Sequence, residues 1–535
     1  MNKKLINFVK KISGRPNLKN VAGNYEHSTG ALKDFIDENR KQLLEKNHLP
    51  MREDRMPYNK AISEMEPAYN FFNGDLYDRN PKQKPVFEYD NFHSGTPLDY
   101  KPFPGSLREV KKVLRRKNLF WYPRSAGGFY SQQKIVDYLI KEGFEPDGRA
   151  LDDGSVYGGI GIENIVFTCS TTHAYSLIMA AIAQPNDVIL MSAPNYGLFA
   201  IMTELDDYHT EVLELKEEDG WQVNPEALAR RIDEINKDLS KEGKGKERAP
   251  KVVAFLNINP HNPTGKVLNR KNQEILEGIG QVCKERGVFV IDDLVYRDLS
   301  YDMSDPALPL ATMPQYFDNT ISIFGLSKAY GLASFRAGFI VAPVAVAEVV
   351  AQRIHDTMDS MPVLQVGAVT GAFNASKRRE REFKKYISHI LAEYQFRYRL
   401  IRAMVYGLSS VKDPVLKRKI KHVIDRYASK GSCEMAYKGV SGLKIRAGTE
   451  PESGFFTIFD FTEFKGKVTA DGKTIENEND MLEFFFTHGG VTYLMGGNIF
   501  WPNKDEFVGR ISFGISRKAI VQNMVKMGLA VRELK

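Results

Sequence analysis

Cysteine is scarce in this chain of 535 residues: Cys169, Cys283 and Cys433 are the only three. None belongs to a C-x-x-C pair or has companion histidines at ligand spacing, which argues against a disulfide framework and against a metal site and suits a reducing cytoplasm. Long apolar runs are missing as well. No stretch of about 18 apolar residues occurs, so no membrane span is expected. The opening MNKKLINFVKKISGRPNLKN is basic and mildly amphipathic but lacks the apolar core and cleavage site of a secretory signal, and it reads as a surface extension. Charge of one sign is barely in excess: 74 Lys and Arg against 67 Asp and Glu give +7, much of it in the first twenty residues and in Lys412–Lys430. A nucleic-acid partner would need a denser basic face. What remains is ordinary globular composition, 42% hydrophobic and 26% charged, enough for a large core in two or three domains.

Residues 1–85 are polar, with a helix expected at Gly30–Lys46 and a loop rich in Pro, Asn and Asp at Asn70–Pro85. From Val166 to Pro343 short apolar runs alternate with longer amphipathic stretches, the pattern of a largely parallel sheet with crossover helices. The expected strands are Asn164–Thr168, Asp187–Ser192, Val252–Ile258, Val288–Asp292, Thr320–Phe324 and Ala337–Val341. Helices are expected at Ala174–Ala183, Asn269–Arg286, Ala345–Asp356 and, as one long segment, Val363–Leu400. After the charged insertion Lys412–Lys430 comes an α+β region with strands at Gly454–Phe461 and Arg510–Gly514.

Reactive residue types gather at the ends of these strands, where ligands bind in open α/β sheets. Ser327-Lys328 follows Thr320–Phe324, and an amine desolvated there is available for imine formation. Arg336, eight positions on, offers a guanidinium to a phosphate. NPHNPTG, Asn259 to Gly265, follows Val252–Ile258; alone it marks a turn, but it also offers the donor Asn262 on a loop stiffened by prolines. DDLVY, Asp292 to Tyr296, places Asp293 and Tyr296 three residues apart; an isolated Asp293 would more often cap a helix. Ser170, Thr171 and Thr172 open an apolar helix, as capping residues or as a phosphate cradle. Tyr196, in PNYGLF, offers an aromatic plate. Amine, acid, oxygen donors and phosphate cradle are together what pyridoxal 5′-phosphate (PLP) requires.

NPHNPTG, DDLVY, SKAYGLASFRAG, PNY and the late GRISFG together resemble the class I/II aminotransferases, over roughly Tyr89 to the C-terminus. The resemblance implies an α/β fold, the fold type I of PLP-dependent transferases. It would have a large PLP-binding domain (131–394), a smaller α+β domain (86–130 and 395–535) and an N-terminal extension (1–85). It implies that Lys328 is the imine-forming, proton-shuttling lysine, that Asp293 partners the pyridine nitrogen, and that Asn262 and Tyr296 bond the 3′-oxygen. Arg336, Ser327, Ser170, Thr171 and Thr172 would hold the phosphate and Tyr196 would stack on the ring. Arg510 matches the arginine that clamps the substrate α-carboxylate, and Gly95, in HSGTP, the glycine beside it. Tyr122 resembles the tyrosine that reaches a neighbouring subunit's phosphate, which implies a homodimer. Two positions depart: Gly325 stands at the first serine of S-x-S-K, and Ser170 stands where the cradle has glycine.

The expected reaction is transamination between an amino acid and a 2-oxo acid, with no nucleic acid and no membrane as partner. The rivals on the same cofactor are β-decarboxylation of aspartate and an elimination like that of aminocyclopropane-carboxylate synthases. A PLP-binding transcription regulator would need a helix-turn-helix in the N-terminal arm, where none is visible. Within Ala351–Gln365 a dicarboxylate-specific relative would carry an arginine. Asp356 falls near that position, with Arg353 three residues away, and if it lined the pocket it would favour a basic or polar substrate side chain.

Overall fold

The computed structural model describes residues 91–97, 100–119, 121–145, 149–150, 156–157, 159–242, 248–429 and 431–535. The expected helix at Gly30–Lys46 and the rest of the extension lie outside the described residues.

Seven strands form the main sheet: β1 (Ile165–Thr168), β2 (Val188–Ala193), β3 (His209–Glu214), β4 (Val252–Ile258), β5 (Phe289–Asp293), β6 (Thr320–Gly325) and β7 (Gly338–Val341). Their order is β1-β7-β6-β5-β4-β2-β3. β3, β2, β4, β5 and β6 run parallel, while β7 is antiparallel to both β6 and β1. The central strands are apolar without alternation because helices cover both faces: all seven residues of β4 and all six of β6 are buried. β3 is the exception. At the sheet edge it keeps polar residues half exposed, so no apolar run announced it.

Helices α1 (Pro104–Leu114), α2 (Phe129–Lys141), α3 (Ser170–Ile182), α4 (Gly197–Leu205), α5 (Pro225–Glu242), α6 (Gln273–Glu285) and α7 (Val344–Met358) connect and cover these strands. The segment expected as one helix over Val363–Leu400 is two, α8 (Val363–Ala372) and α9 (Lys377–Tyr406). The break is chemical: Asn374 Nδ2 donates to the Thr370 carbonyl at 2.9 Å, ending α8, and Ser376 Oγ accepts from Arg379 N at 3.2 Å, starting α9. α8 crosses α1 where Gly105 and Gly371 meet; a Cβ on Gly371 would lie 2.6 Å from the Gly105 carbonyl oxygen. Beneath the sheet, Phe324 and Phe339 stack at 4.8 Å and Phe373 packs edge-on against both. Each such buried ring contributes about 1.5–3 kcal/mol.

Beyond α9 the basic insertion folds as α10 (Pro414–Tyr427), capped by Asp413, and α11 (Cys433–Lys438) follows. A second, antiparallel sheet has the order β8 (Lys444–Ile445), β9 (Phe456–Asp460), β11 (Val508–Ser512), β10 (Leu494–Met495). Helices α12 (Glu478–Gly489) and α13 (Arg517–Val531) pack on each other beside it. Ser512 N donates to the Phe92 carbonyl at 2.8 Å, which fixes the segment holding Gly95 next to β11. Among the described residues, no helix is long and apolar enough to cross a membrane.

Candidate active site

The C-terminal ends of five strands converge. Ser170 follows β1, Tyr196 follows β2, Asn262 follows β4, Asp293 ends β5 with Tyr296 just beyond it, and Lys328 follows β6. In a parallel sheet these ends share one rim, so residues as far apart as Ser170 and Lys328, 158 positions, are delivered to one cavity.

Lys328 Nζ donates to the Gly95 carbonyl at 2.6 Å and lies 5.7 Å from the centre of the Tyr296 ring. Desolvation by the enclosing walls, aided by the Arg510 charge, pushes the amine down to about 8, against a weaker pull upward from Asp293. Arg510, on β11, donates to Asn262 Oδ1 at 3.2 Å and to the His93 carbonyl at 3.3 Å, with its guanidinium 4.1 Å over the Phe456 ring. Burial and the same guanidinium push the His93 ring down to about 4, which keeps it neutral. Gly95 separates the two cations: a Cβ on it would stand 3.7 Å from Arg510 Nη2 and 3.9 Å from Lys328 Nζ.

The adjacent aspartates divide their work because successive side chains of a strand leave opposite faces. Asp292 is satisfied, accepting from Asn257 Nδ2 at 2.8 Å and from Leu310 N at 3.0 Å. Asp293 accepts from Val295 N at 3.1 Å and makes no ion pair among the described residues. Burial pushes its carboxyl up to about 7, the Val295 N–H pulling down and Asp292 pushing further up. Such a buried acid fits a cationic ring nitrogen, which would restore its charge. Burial also raises the Tyr296 phenol well above its usual range, so it remains a donor; the ring packs between Phe455 and Phe456.

The two departures in the expected phosphate cradle have structural counterparts. Ser170 keeps the glycine-like backbone, with φ +84°, and its Oγ accepts from His173 N at 3.3 Å. At Gly325, a Cβ would come 2.6 Å from the Thr171 methyl, so a serine there and Thr171 compete for the same space. Thr171 and Thr172 lie on the first turn of α3, where N–H groups without intrahelical partners can bind an anion. Ser327 is buried two residues beyond the end of β6. Arg336 is exposed, in the left-handed region with φ +48°, and its Nη1 donates to Ala333 O at 3.0 Å; its charge is felt by both Lys328 and Cys169. Tyr196 is partly buried, edge-on to Phe199 at 5.6 Å.

Two residues stand apart. Tyr122 is 82% exposed and makes no hydrogen bond to the residues above. Asp356, considered for the substrate pocket, is exposed on α7 and accepts from Gln352 Nε2 at 2.8 Å, one turn away; the register of that helix turns it outward. Three side chains went unread in the sequence. Tyr394, buried in α9, donates to Tyr100 Oη at 2.9 Å, and Tyr100 donates to the Lys328 carbonyl at 3.1 Å, which fixes the backbone under the lysine. His261, inside NPHNPTG, bridges Ser192 Oγ at 3.1 Å and Thr264 Oγ1 at 2.8 Å and so ties the Asn262 loop to the end of β2.

The site fits PLP on its own chemistry: a partly neutral amine, an unpaired buried acid, two oxygen donors and a helix start with free N–H groups share one rim. Comparison with known proteins agrees. The profile of the family described as aminotransferase class I and II matches residues 160–414. An aspartate aminotransferase of Musicola paradisiaca is 30% identical over 34% of this chain and 40% of its own length. A probable aspartate/prephenate aminotransferase of Aquifex aeolicus is 22% identical over 81% of this chain and 88% of its own. The chain thus spans under half of the first relative and most of the second. A Thermus thermophilus aspartate aminotransferase mutant superposes with a TM-score of 0.60 at 16% identity, over 84% of this chain and 97% of that one, which shows the fold alone. Motifs, rim geometry, profile and fold therefore converge: over residues 160–414 the chain matches the class I and II aminotransferases, and its fold is that of the fold type I PLP-dependent enzymes.

Proposed function

We infer that the protein is a PLP-dependent aminotransferase that moves an amino group between an amino acid and a 2-oxo acid. The observation that carries this reading is the placement of Lys328 Nζ and Arg510 Nη2 on either side of Gly95, each within 4 Å of where a Cβ would stand. A substrate whose α-carboxylate meets Arg510 turns its α-carbon toward Lys328.

PLP, when bound, supplies an aldehyde that amines attack and a ring that takes up negative charge. The protein supplies the rest. Lys328, pushed down to about 8, has a neutral fraction far larger than an ordinary lysine's, and in that form it accepts the α-proton and returns it. Asp293 holds a proton on the ring nitrogen, Asn262 and Tyr296 donate to the ring oxygen, and Tyr196 covers a ring face. Arg336 and Ser327, with Ser170, Thr171 and Thr172, hold the phosphate. Arg510 and the Gly95 backbone bind the substrate carboxylate.

Tyr122 completes a second subunit's phosphate site in a homodimer. The support is local: Trp121 (69%), Tyr122 (82%), Phe129 (59%) and Tyr130 (68%) expose four aromatic rings within ten residues, a patch that pairing would bury. In the same reading the large domain is 131–394, the small one joins 86–130 to 395–535, and the free Cys169, Cys283 and Cys433 suit the cytoplasm.

The test is product analysis. Purified holoprotein mixed with amino donors should release 2-oxo acid in one equivalent per site and leave its cofactor as the amine, with the matching absorbance shift. Carbon dioxide and alanine from aspartate, or ring closure of S-adenosylmethionine without amine transfer, would replace this reading with one of the lyases. Light scattering should give twice the chain mass.

A further inference from the structure

The basic insertion Lys412–Lys430 has no part in the proposed reaction, yet its fold is specific. Asp413 caps α10, Pro414 begins it, and Ile420, Val423 and Ile424 anchor it inward. Arg418, Lys419 and His422 consequently stand on its outer side. Between α10, α9 and the start of α13 lies a cleft of about 700 Å³ that these three side chains line together with Arg517. This is the volume of a site for an organic molecule.

The charge in the cleft is unbalanced. Glu393 is the one carboxylate among its lining residues. That carboxylate is already engaged twice: Arg517 grips it with Nε at 2.8 Å and Nη2 on the other oxygen, and Arg397 Nε donates to it at 2.8 Å from behind. Arg517 is thereby held in place, with its guanidinium 4.2 Å over the Phe396 ring. Arg418 and Lys419 have no carboxylate partner among the described residues. Cations fixed around a concavity repel one another, and a multivalent anion bridging them relieves that repulsion while making charge-assisted hydrogen bonds. The Phe396 ring gives an apolar body something to pack on.

We propose that this cleft binds a small polyanion with an apolar part, of the organic-phosphate or polycarboxylate class, at a site separate from the Lys328 cavity. The test uses holoprotein, whose phosphate cradle is already filled, titrated calorimetrically with pyrophosphate and with citrate. One saturable site per chain is expected for at least one probe, and the tighter probe identifies the source of the charge. Arg418→Ala/Lys419→Ala should weaken that binding by about tenfold or more. Arg230→Ala/Lys237→Ala, which removes two exposed cations from α5, should change it less than about twofold if the site is local and not a general effect of net charge. All four side chains are exposed, so folding is not at stake, and unchanged cofactor absorbance verifies it. Absence of saturable binding with both probes, or equal weakening in the two double variants, overturns the proposal.

Discussion

Two clusters of enclosed charge lie on the same stretches of chain and differ in how completely they are paired. Arg297, four residues after Asp293, donates to Asp298 Oδ1 at 3.2 Å and to Glu142 Oε2 at 2.5 Å. Tyr330, two residues after Lys328, donates to Asp298 Oδ2 at 2.6 Å and accepts from Arg379 Nη2 at 2.9 Å. There both carboxylates meet the Arg297 guanidinium, and Arg379 is held by the Tyr330 hydroxyl and the Ala372 carbonyl. In the neighbouring cluster Lys328 leans on a backbone carbonyl and Asp293 on a single N–H, and their proton affinities are displaced toward each other, to about 8 and about 7. Both clusters bear the desolvation cost of burial; only the first offsets it internally. The satisfied cluster anchors the two loops, and the poised one keeps its groups ready for a ligand.

Breaking the poised cluster should destroy function with little effect on the fold. Lys328→Ala is expected to lower kcat by about 10³–10⁴-fold while the melting temperature of the apoprotein holds or rises, because a desolvated amine is removed. Borohydride reduction should then no longer fix the cofactor to the chain. Breaking the satisfied cluster should do the reverse. Arg297→Met leaves Glu142 and Asp298 without their cation and should cost about 3–5 kcal/mol in denaturant unfolding, with kcat per folded molecule changing far less. If Arg297→Met proved as inactive as Lys328→Ala yet fully stable, the division between the clusters would fail.

Subtler changes sharpen the contrast. Arg510→Lys keeps the charge but loses the fork, and kcat/KM for the amino donor should fall about 10²-fold, mostly through KM. The displaced amine also gives a pH signature. Below about 8 Lys328 is protonated and cannot attack an aldehyde, so the rate at which apoprotein captures PLP should rise about tenfold per pH unit up to about 8 and level off above it. A plateau beginning near 10.5, the ordinary value for lysine, would mean that the enclosure does not desolvate the amine.

How far the sequence announced all this depended on range. The buried strands were legible because apolar runs without alternation leave few other readings: the expected Val252–Ile258 is β4 residue for residue. β3 was not, since an edge strand carries His209, Thr210 and Glu211 and shows no run. The split of Val363–Leu400 was written in Asn374 and Ser376, two capping residues that amphipathic periodicity across the segment overrode. At the site, motifs named the residues on each strand end, but the contact of Arg510 with Asn262 joins positions 248 apart, and only the fold brings them together. The Tyr394–Tyr100–Lys328 relay had no local signal either, because Tyr394 reads as one more apolar position of a long helix.

The smallest expected effect concerns the residue that departs from its relatives' pattern in the cradle. Ser170 adopts φ +84°, a conformation that costs a residue bearing Cβ about 1–2 kcal/mol and a glycine almost nothing. Its hydroxyl returns part of this through the 3.3 Å bond from His173 N, and glycine at such a capping position forfeits only a few tenths of a kcal/mol. Ser170→Gly should therefore stabilise the apoprotein by about 1 kcal/mol, read as a higher denaturation midpoint. If the hydroxyl also holds the cofactor phosphate, the same variant should release PLP faster on dialysis, so stability and cofactor retention move in opposite directions. A variant that gained stability and kept its cofactor equally well would show that at this position the backbone N–H groups alone serve the phosphate.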